Sequence, residues 1–587
     1  MSKGKSIAIV GVGVKGTYAL VRFLENASLP DYSSQQYHLH LVEPADLGSG
    51  ITYSVDSKDY LLMNTVASQI TAYADETCSI KGKKTTGPSL KDWADIQGKL
   101  IGANEYPKRR DHGEYLCWVV KEAMRKAPPN ITFTIHKEAA LDLKLGRTSH
   151  QLILESKKII KVHSVLLSFG GVGYKTNCIN VDSQEVSYGS LKIEGRRFFT
   201  AYPLEKWIQS ISNKDSVGIL GMGLGMIDAV ISLTVGKGGS FVECNDSGEY
   251  RYISSGKEPK IYCWCRSGLP AHARANNQKP LNFTVQPKKL NHKLIERVRQ
   301  ESGFDGIDFK EKILPVLCQE MEQVFKSSKK LGKHSSKRFK TFDWEDWIQP
   351  KILRKDAFRD YVHYREELIE LLEDDLHEAC LGNINGPFKA ACDFLRDARD
   401  LIREAVEFAG LTPNSHRWFV DIFTSAHNRL VVGPPLSRSK ELLALYKSGV
   451  IDLGLGPNPK LFRDQSKGFS VITSHFNKEK EVSIDVLIDG RVTRKPSQLL
   501  QNLIKNGVLS LAELGNGKGD YSINAVQCDN RGRVLSSNGK IQPGVHIVGQ
   551  PAEGYLWYTF VASRPMVDSR AIRDADDWSL QALSDSF

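Results

Sequence analysis

Residues 6–16, SIAIVGVGVKG, constrain the fold of this chain more than any other stretch. Ile7, Ala8, Ile9 and Val10 make an apolar run of strand length. The run breaks into Gly11-Val-Gly13-Val-Lys-Gly16, the G-x-G-x-x-G spacing. From Thr17 to Asn26 the apolar Tyr18, Leu20, Val21, Phe23 and Leu24 predict a helix. Strand, tight glycine turn and helix start form the setting in which this spacing holds a dinucleotide. Gly11 permits the turn, Gly13 lets backbone approach a pyrophosphate, and Gly16 lets helix and strand pack closely. The helix start offers free N–H groups and a positive dipole end to the phosphates. The next strand, His38-Leu-His-Leu-Val42, ends at Glu43. That is later than the usual offset of roughly 20 residues, and the polar loop from Pro30 to Gln36 takes up the difference. An acid at this place favours a free ribose diol, as in FAD or NAD, over a 2′-phosphate.

A chain of 587 residues exceeds one core and predicts two or three domains. Its 41% hydrophobic and 25% charged content is that of a globular protein. No apolar run reaches the roughly 20 residues that span a bilayer. The opening MSKGKS runs directly into the first strand and leaves no room for a signal peptide, so a cytoplasmic location is expected. Ten cysteines are scattered without ligand spacing. Cys263-Trp-Cys265 has no second Cys or His pair, so neither a metal site nor a disulfide framework is expected. The net charge of +11 suits anionic cofactors and an acidic substrate, and does not argue for nucleic acid. Nothing in the sequence indicates an oligomeric state.

After Glu43-Pro44 comes the loop Gly48-Ser-Gly50-Ile-Thr-Tyr53, then Asp59-Tyr-Leu-Leu-Met-Asn64-Thr65. Ribose acid, G-x-G loop and L-L-M-N-T together resemble the FAD/NAD(P)-binding flavoprotein family that carries an E-P-x-x-x-G-x-G-x-x-Y…L-L-M-N block. That family is similar to the class B and the N-hydroxylating flavin monooxygenases. The resemblance implies that Asn64 lies beside flavin and nicotinamide as a catalytic and cofactor-binding residue; the alternative is a turn cap. Val165-Leu-Leu-Ser168-Phe169-Gly170-Gly171 resembles the A-T-G element of such proteins, with the match resting on the strand and Gly170. Gly544-Val-His546-Ile-Val-Gly549-Gln550 resembles their C-terminal FAD element, with Gln550 where many relatives have Asp. Tyr555, Trp557, Tyr558 and Phe560 then pack either near the flavin or in the core.

A second dinucleotide turn follows the strand Val217-Gly-Ile-Leu220. Gly221 and Gly223 match the spacing, but the third glycine is displaced to Gly225 and position 226 is Met. This departure is expected to loosen helix–strand packing. The next strand, Lys260 to Cys265, ends in Arg266-Ser267. A guanidinium and a hydroxyl suit a 2′-phosphate, so NADPH is favoured over NADH.

The expected fold class is α/β, with two nucleotide-binding, Rossmann-like, three-layer domains and a mainly helical insertion. Residues 1–210 with 520–587 form the FAD unit, 215–275 with 446–519 the NAD(P) unit, and 276–445 a helical cap over the active site. Ile131–Ile135, Gln151–Glu155 and Ile159–Val162 read as a β-meander, and Phe469–Thr473 with Val482–Ile488 as completing the NAD(P) sheet. Lys329 to Lys340 is a basic run, read as a solvated loop. Arg396, Arg399 and Arg403 share a helix face, read as solvated in preference to lining an anion site. A glutamate-ended fold beside an arginine-ended one is the pattern of a flavoprotein reduced by NADPH. The leading expectation is a monooxygenase that forms a C4a-peroxyflavin from O₂ and oxygenates a small molecule, at an amine nitrogen. A flavin oxidase or dehydrogenase without NADPH is the alternative that the Met226 departure supports. A FAD-binding redox sensor or scaffold is the third.

Overall fold

Alternation along the first strand sets the layering. In the computed structural model β1 (Lys5–Val10) turns into α1 (Val14–Asn26), followed by β2 (Tyr37–Val42), α2 (Arg109–Arg125), β3 (Ile131–His136) and β4 (Ser164–Leu167). Ile7 and Ile9 face a core shared with Tyr18, Leu20 and Phe23 of α1 and Leu116 and Val120 of α2. Ala8 and Val10 face the opposite core, with Leu143, Leu152 and Val162. The latter three belong to an antiparallel meander of Ala140–Lys144, His150–Leu154 and Ile159–Val162. Helices, parallel sheet and meander are thus three layers. The structure describes residues 4–584 apart from 171–178, 182–183, 187–196, 203, 205–206, 245–247, 331–334, 351, 353–359, 465–467, 477–478, 492–496 and 516–520. Gly171 and the centre of the basic run, residues 331–334, lie outside the described residues.

The second unit opens with β5 (Arg197–Thr200), β6 (Ser216–Leu220), α3 (Leu224–Thr234) and β7 (Lys260–Trp264). A helical stretch follows, including α4 (Tyr361–Leu381), α5 (Pro387–Asp397) and α6 (Arg399–Val406). The chain returns through β8 (Ile451–Asp452) and β9 (Val486–Asp489), then ends in β10 (Arg533–Leu535), β11 (Ile541–Ile547) and α7 (Arg570–Ser584). The first sheet has the order β10-β11-β4-β1-β2-β3 and the second β5-β9-β6-β7-β8. Pairing is parallel throughout, except for β10 on β11. Each glycine-turn strand sits where the strand order reverses: β1 between β2 and β4, β6 between β7 and β9. Ligands of open parallel sheets bind in the crevice at such a point.

Three expectations about strands and boundaries are corrected. Ile131–His136 is the third parallel strand of the main sheet, paired with β2, and Ala140–Lys144 is the first strand of the meander. Gly468–Thr473 lies in a separate antiparallel sheet with Lys460–Asp464 and Lys480–Ile484, and only Val486–Asp489 enters the second parallel sheet. Period-two alternation cannot distinguish a meander strand from a sheet strand, because both bury one face. Helix Gln498–Lys505 packs Leu499, Leu500 and Leu503 against Leu143 and Leu152 of the first unit, not with the second unit, where the sequence placed it.

The carboxyl-terminal helix closes the first unit through a buried charge. Asp576 accepts hydrogen bonds from Arg22 Nη2 at 2.7 Å and Asn26 Nδ2 at 2.8 Å on α1. Its second oxygen takes the backbone N–H groups of Lys81 and Gly82, both at 3.0 Å. Arg22 is fully buried, so loss of Asp576 leaves the cation with Glu25 as its remaining acid partner. Asp576→Ala is expected to destabilise the first unit by about 3–5 kcal/mol. Denaturant unfolding checks this, and Arg22→Met with Asp576→Leu is expected to recover only part of the loss, because Asn26 and the Lys81 and Gly82 N–H groups stay without their acceptor.

Candidate active site

Both glycine turns are built around backbone contacts that no side chain tolerates. Gly11 has φ +91°, and a Cβ there would lie 2.7 Å from the Phe169 backbone. A Cβ on Gly16 would lie 2.1 Å from the Gly11 carbonyl oxygen. Gly13 differs: its φ is −81° and a Cβ would meet nothing within 4 Å. It is the N-cap of α1 with no side-chain cap bond, so the first N–H groups of the helix face open space. Opposite stands the G-x-G loop. Gly48, φ +99°, packs on the Leu116 backbone and donates to Val12 O at 2.7 Å; a Cβ on Gly50 would lie 3.5 Å from Gly13 Cα. Glu43 takes the Val12 N–H at 2.9 Å and the Ala45 N–H at 3.1 Å, and burial pushes its carboxyl pKa up.

The β4 and β11 ends complete this crevice. Ser168 Oγ donates to Gly11 O at 2.6 Å. A Cβ on Gly170 would lie 3.3 Å from Gln550 Oε1, and one on Gly549 (φ +81°) 3.3 Å from Lys15 Cγ. Gly11, Gly13, Gly16, Glu43, Gly48, Gly50, Gly170, Gly549 and Gln550 therefore meet in one cleft. An open, uncapped helix start beside a buried carboxylate fits the pyrophosphate and ribose of a dinucleotide.

The second turn repeats the cradle. Gly223 caps α3 without a side-chain bond, and a Cβ there would meet nothing within 4 Å. Gly221, φ +103°, packs under Arg491, whose Cγ would lie 2.8 Å from an added Cβ. Gly225 supplies a close approach, since its Cβ would lie 2.4 Å from Gly490 O at the end of β9. Met226 is fully buried in the core of this unit, so the expected loosening does not occur. Arg266 reaches Asp421 Oδ1 and O, both at 2.9 Å, and Ser267 Oγ lies 3.2 Å from Cys265 Sγ. Arg491, held by Asp489 at 2.8 Å, stands at the turn and was not singled out in the sequence. No motif marks an arginine that arrives from a distant strand end.

Asn64 lies in a pocket between the units. Its lining includes Gln69 and Tyr106 from the first unit, Arg274 after β7, and Lys389 and Arg396 from α5. Asn64 Nδ2 donates to Val432 O at 3.3 Å. Arg396 bonds Asp393 at 2.9 Å and Gln69 Oε1 at 3.3 Å. Asp393 is shared with Lys279, which also holds Asp397 at 2.8 Å. Lys389 is bound by Asp375, which also takes His272 Nδ1 at 2.5 Å and the Ala273 N–H at 2.6 Å. These bonds, with Arg274 N donating to Pro434 O at 2.8 Å, set the backbone from which Arg274 projects.

Arginine accumulates around this pocket in excess of acid, since Asp393 is the one acid in its lining and is already paired with Arg396 and Lys279. The Nε atoms of Arg274, Arg399 and Arg564 are sealed from solvent and hydrogen-bond to nothing, and among the described residues no carboxylate pairs with the three side chains. Burial pulls the Arg399 pKa down to about 10 and the Arg564 pKa to about 9, with Arg396 adding repulsion to both. Arg399 lies 3.9 Å over the Tyr558 ring, and Arg403 donates to Trp557 O at 3.0 Å and Tyr558 O at 2.8 Å. The solvated reading of Arg396, Arg399 and Arg403 is thus overturned: the face is polar because it meets the pocket and the 553–560 loop. That loop is tied by Glu553, which accepts from the Tyr558 and Thr559 N–H groups at 3.0 and 2.7 Å. Tyr555, Trp557 and Tyr558 are buried, Tyr558 with φ +61°, while Phe560 is exposed. Trp557 packs in the core against Phe419 and His427.

Among the described residues no helix is long and apolar enough to cross a membrane, and no His, Cys, Asp and Glu cluster could hold a metal ion. Residues 8–172 match the model of a FAD–NAD(P)-binding family. Over 619 residues the chain is 30% identical to the nitrosuccinic acid synthase of Aspergillus oryzae, covering 98% of this chain and 92% of that one. It is 28% identical to an L-aspartate N-monooxygenase (nitrosuccinate-forming) of Streptomyces davaonensis, covering 98% of this chain and 97% of that one. The solved structure of L-lysine 6-monooxygenase from Pseudomonas syringae aligns with 99% of this chain and 98% of its own, at TM-score 0.47 and 12% identity. With 30% identity across nearly its whole length, the chain belongs to the FAD/NAD(P)-binding flavoprotein family of these N-monooxygenases, and is an FAD-dependent, NADPH-using monooxygenase.

Proposed function

We propose that this enzyme N-oxygenates L-aspartate and carries it to nitrosuccinate in the cytoplasm. The observation that carries the reading is Arg274, which lines the Asn64 pocket with its Nε unbonded and no carboxylate paired to it among the described residues. Such charge is costly to bury and is offset by a ligand that brings two carboxylates. Arg274 and Arg396 line the pocket and bind the carboxylates, while Arg399 and Arg564 add positive potential. The relatives' printed activities support the same substrate. The nine cysteines among the described residues are all unbridged, which suits a reducing compartment.

In this reading Gly11, Gly13, Gly16, Glu43, Gly48, Gly50, Asn64, Gly170, Gly549 and Gln550 hold FAD. Gly221, Gly223, Gly225, Arg266 and Ser267 hold NADPH, with Asp421 yielding Arg266 to the 2′-phosphate. Bound FAD, reduced by NADPH, supplies the activation of O₂. The chain's own work is placement. Asn64, anchored on Val432 O, offers its amide to the reacting centre, and the arginines fix the substrate so that its nitrogen faces that centre. The 553–560 loop is pinned by Glu553 and Arg403. The direct test is oxygen uptake by FAD-loaded protein with NADPH. L-aspartate is expected to give an N-oxygenated product, and equal use of L-asparagine or L-lysine would sink the acidic-substrate reading.

The geometry separates binding from folding at two kinds of position. Arg274 has no side-chain partner, so Arg274→Gln is expected to raise KM for L-aspartate by roughly 10- to 100-fold. Its Tm is expected to stay level or rise, because a buried charge is lost without orphaning another. Thermal melts beside steady-state kinetics read both. Gly13→Ala is expected to keep the apoprotein's melting temperature yet lower flavin content per chain, since its Cβ fills only the open cradle. Gly223→Ala is expected to retain flavin and weaken NADPH, measured by anaerobic flavin bleaching. Gly16→Ala, whose Cβ would lie 2.1 Å from a carbonyl, is expected to fail in folding.

A further inference from the structure

The charge of the pocket bears on what happens after the first oxygenation. L-aspartate near pH 7 carries two carboxylates and one ammonium, a net single negative charge. An N-alkylhydroxylamine is a much weaker base than the parent amine, so N-hydroxyaspartate carries two carboxylates and a neutral nitrogen. The pocket wall presents three cations, Arg274, Arg396 and Lys389, against one acid, Asp393. Arg399 and Arg564 stand behind it, within range to repel Arg396. The nearby acids are already spoken for: Asp393 and Asp397 by Lys279 and Arg396, Asp375 by Lys389 and His272. The substrate ammonium therefore enters a field of like charge, and its neutralisation removes a repulsion that low polarity makes strong.

We infer that this site binds the N-hydroxylated intermediate more tightly than the amino acid it starts from, and so retains it through the successive oxygenations. The inference rests on the proposed L-aspartate reading. Each round is balanced by the established activity. One O₂ is split; one oxygen forms the N–O bond and the other leaves as water. NADPH supplies two electrons, a proton is taken up, and the nitrogen is oxidised by two electrons. The first round gives the hydroxylamine. The second gives the dihydroxylamine, which loses water to the nitroso compound, and the third gives the nitro product. Between rounds NADP⁺ is replaced by NADPH, O₂ enters and water leaves, while the organic intermediate has no need to exchange. The NADP⁺ cradle at Gly221 to Gly225 is separate from the arginine wall, so the dinucleotide can leave while two carboxylates stay clamped.

Two measurements test this on the FAD-loaded enzyme. Calorimetric titration without NADPH is expected to show N-hydroxy-L-aspartate binding at least about tenfold more tightly than L-aspartate. Equal or weaker binding overturns the inference. In turnover with L-aspartate in large excess, filtrates are analysed by mass spectrometry at low conversion. Free N-hydroxyaspartate is expected to stay below the enzyme concentration, with nitrosuccinate appearing without a lag. Accumulation of free hydroxylamine beyond the enzyme concentration, followed by delayed product, overturns it while leaving the L-aspartate reading intact. Absence of any oxygenated aspartate sinks both. Arg274→Gln is expected to release at least about tenfold more free N-hydroxyaspartate per turnover, and unchanged release in that variant counts against charge as the holding force.

Discussion

Buried positive charge without a counter-ion is the constraint on which the middle of this molecule depends. A guanidinium taken from water costs several kcal/mol unless it is paired. Arg274, Arg399 and Arg564 leave their Nε atoms unbonded, so the surroundings have to make up the deficit. They do so with a scaffold of fully bonded acids around the pocket. Asp375 ties Lys389, His272 and the Ala273 N–H into one knot, and a Cβ on Gly433 would lie 1.5 Å from His272 O. Lys279 is placed between Asp393 and Asp397. The bonded groups fix the backbone, and the unbonded guanidiniums are what they present. Stability spent in this way is typical of a site whose ligand completes the electrostatics.

The two nucleotide units share a construction that goes beyond the glycine turn. In each, an antiparallel meander ends one residue before the strand that returns to the parallel sheet. Ile159–Val162 leads to Ser164–Leu167, and Lys480–Ile484 leads to Val486–Asp489. The returning strand then delivers a close contact to the turn: Ser168 and Phe169 against Gly11, Gly490 and Arg491 against Gly221 and Gly225. The two halves are joined by another buried pair. Arg109 of α2 meets Asp228 of α3 at 2.5 Å, and Tyr202 also bonds Asp228. Arg109 Nε also donates to Leu62 O at 3.4 Å, two residues before Asn64. Helix α3 of the second unit and the segment that carries Asn64 are thus held by one side chain.

How much of this was legible in the sequence follows from the range of each signal. Local patterns carried well: Gly11 to Gly16, Glu43 and Gly221 to Gly225 lie where their spacing put them, because strand, turn and helix are neighbours in the chain. Asn64 stands out through a block of residues, not through its own chemistry, and its role stays with the proposed function. What failed depends on long-range docking. The sequence assigns Ile131–Ile135 to the meander because alternation reports a buried face without naming what covers it. Arg396, Arg399 and Arg403 were read as solvated because a helical wheel shows a polar face without showing what packs there. Arg274, Arg491 and Arg564 carried no pattern, for each reaches its site from a loop or strand end.

Met226 shows why a broken motif need not mean a broken site. In the first turn Gly16 is required because a Cβ would strike the Gly11 carbonyl. In the second, Met226 is accommodated at the matching place and buried among apolar neighbours. The closest approach is transferred one residue earlier, to Gly225 against Gly490. What both turns keep is the residue before the helix, Gly13 or Gly223, where nothing occupies the space a Cβ would take. The packing glycine can move because protein atoms can repack around it. In the proposed assignment the cradle glycine cannot, because the shape it answers to would be a phosphate that protein repacking does not alter.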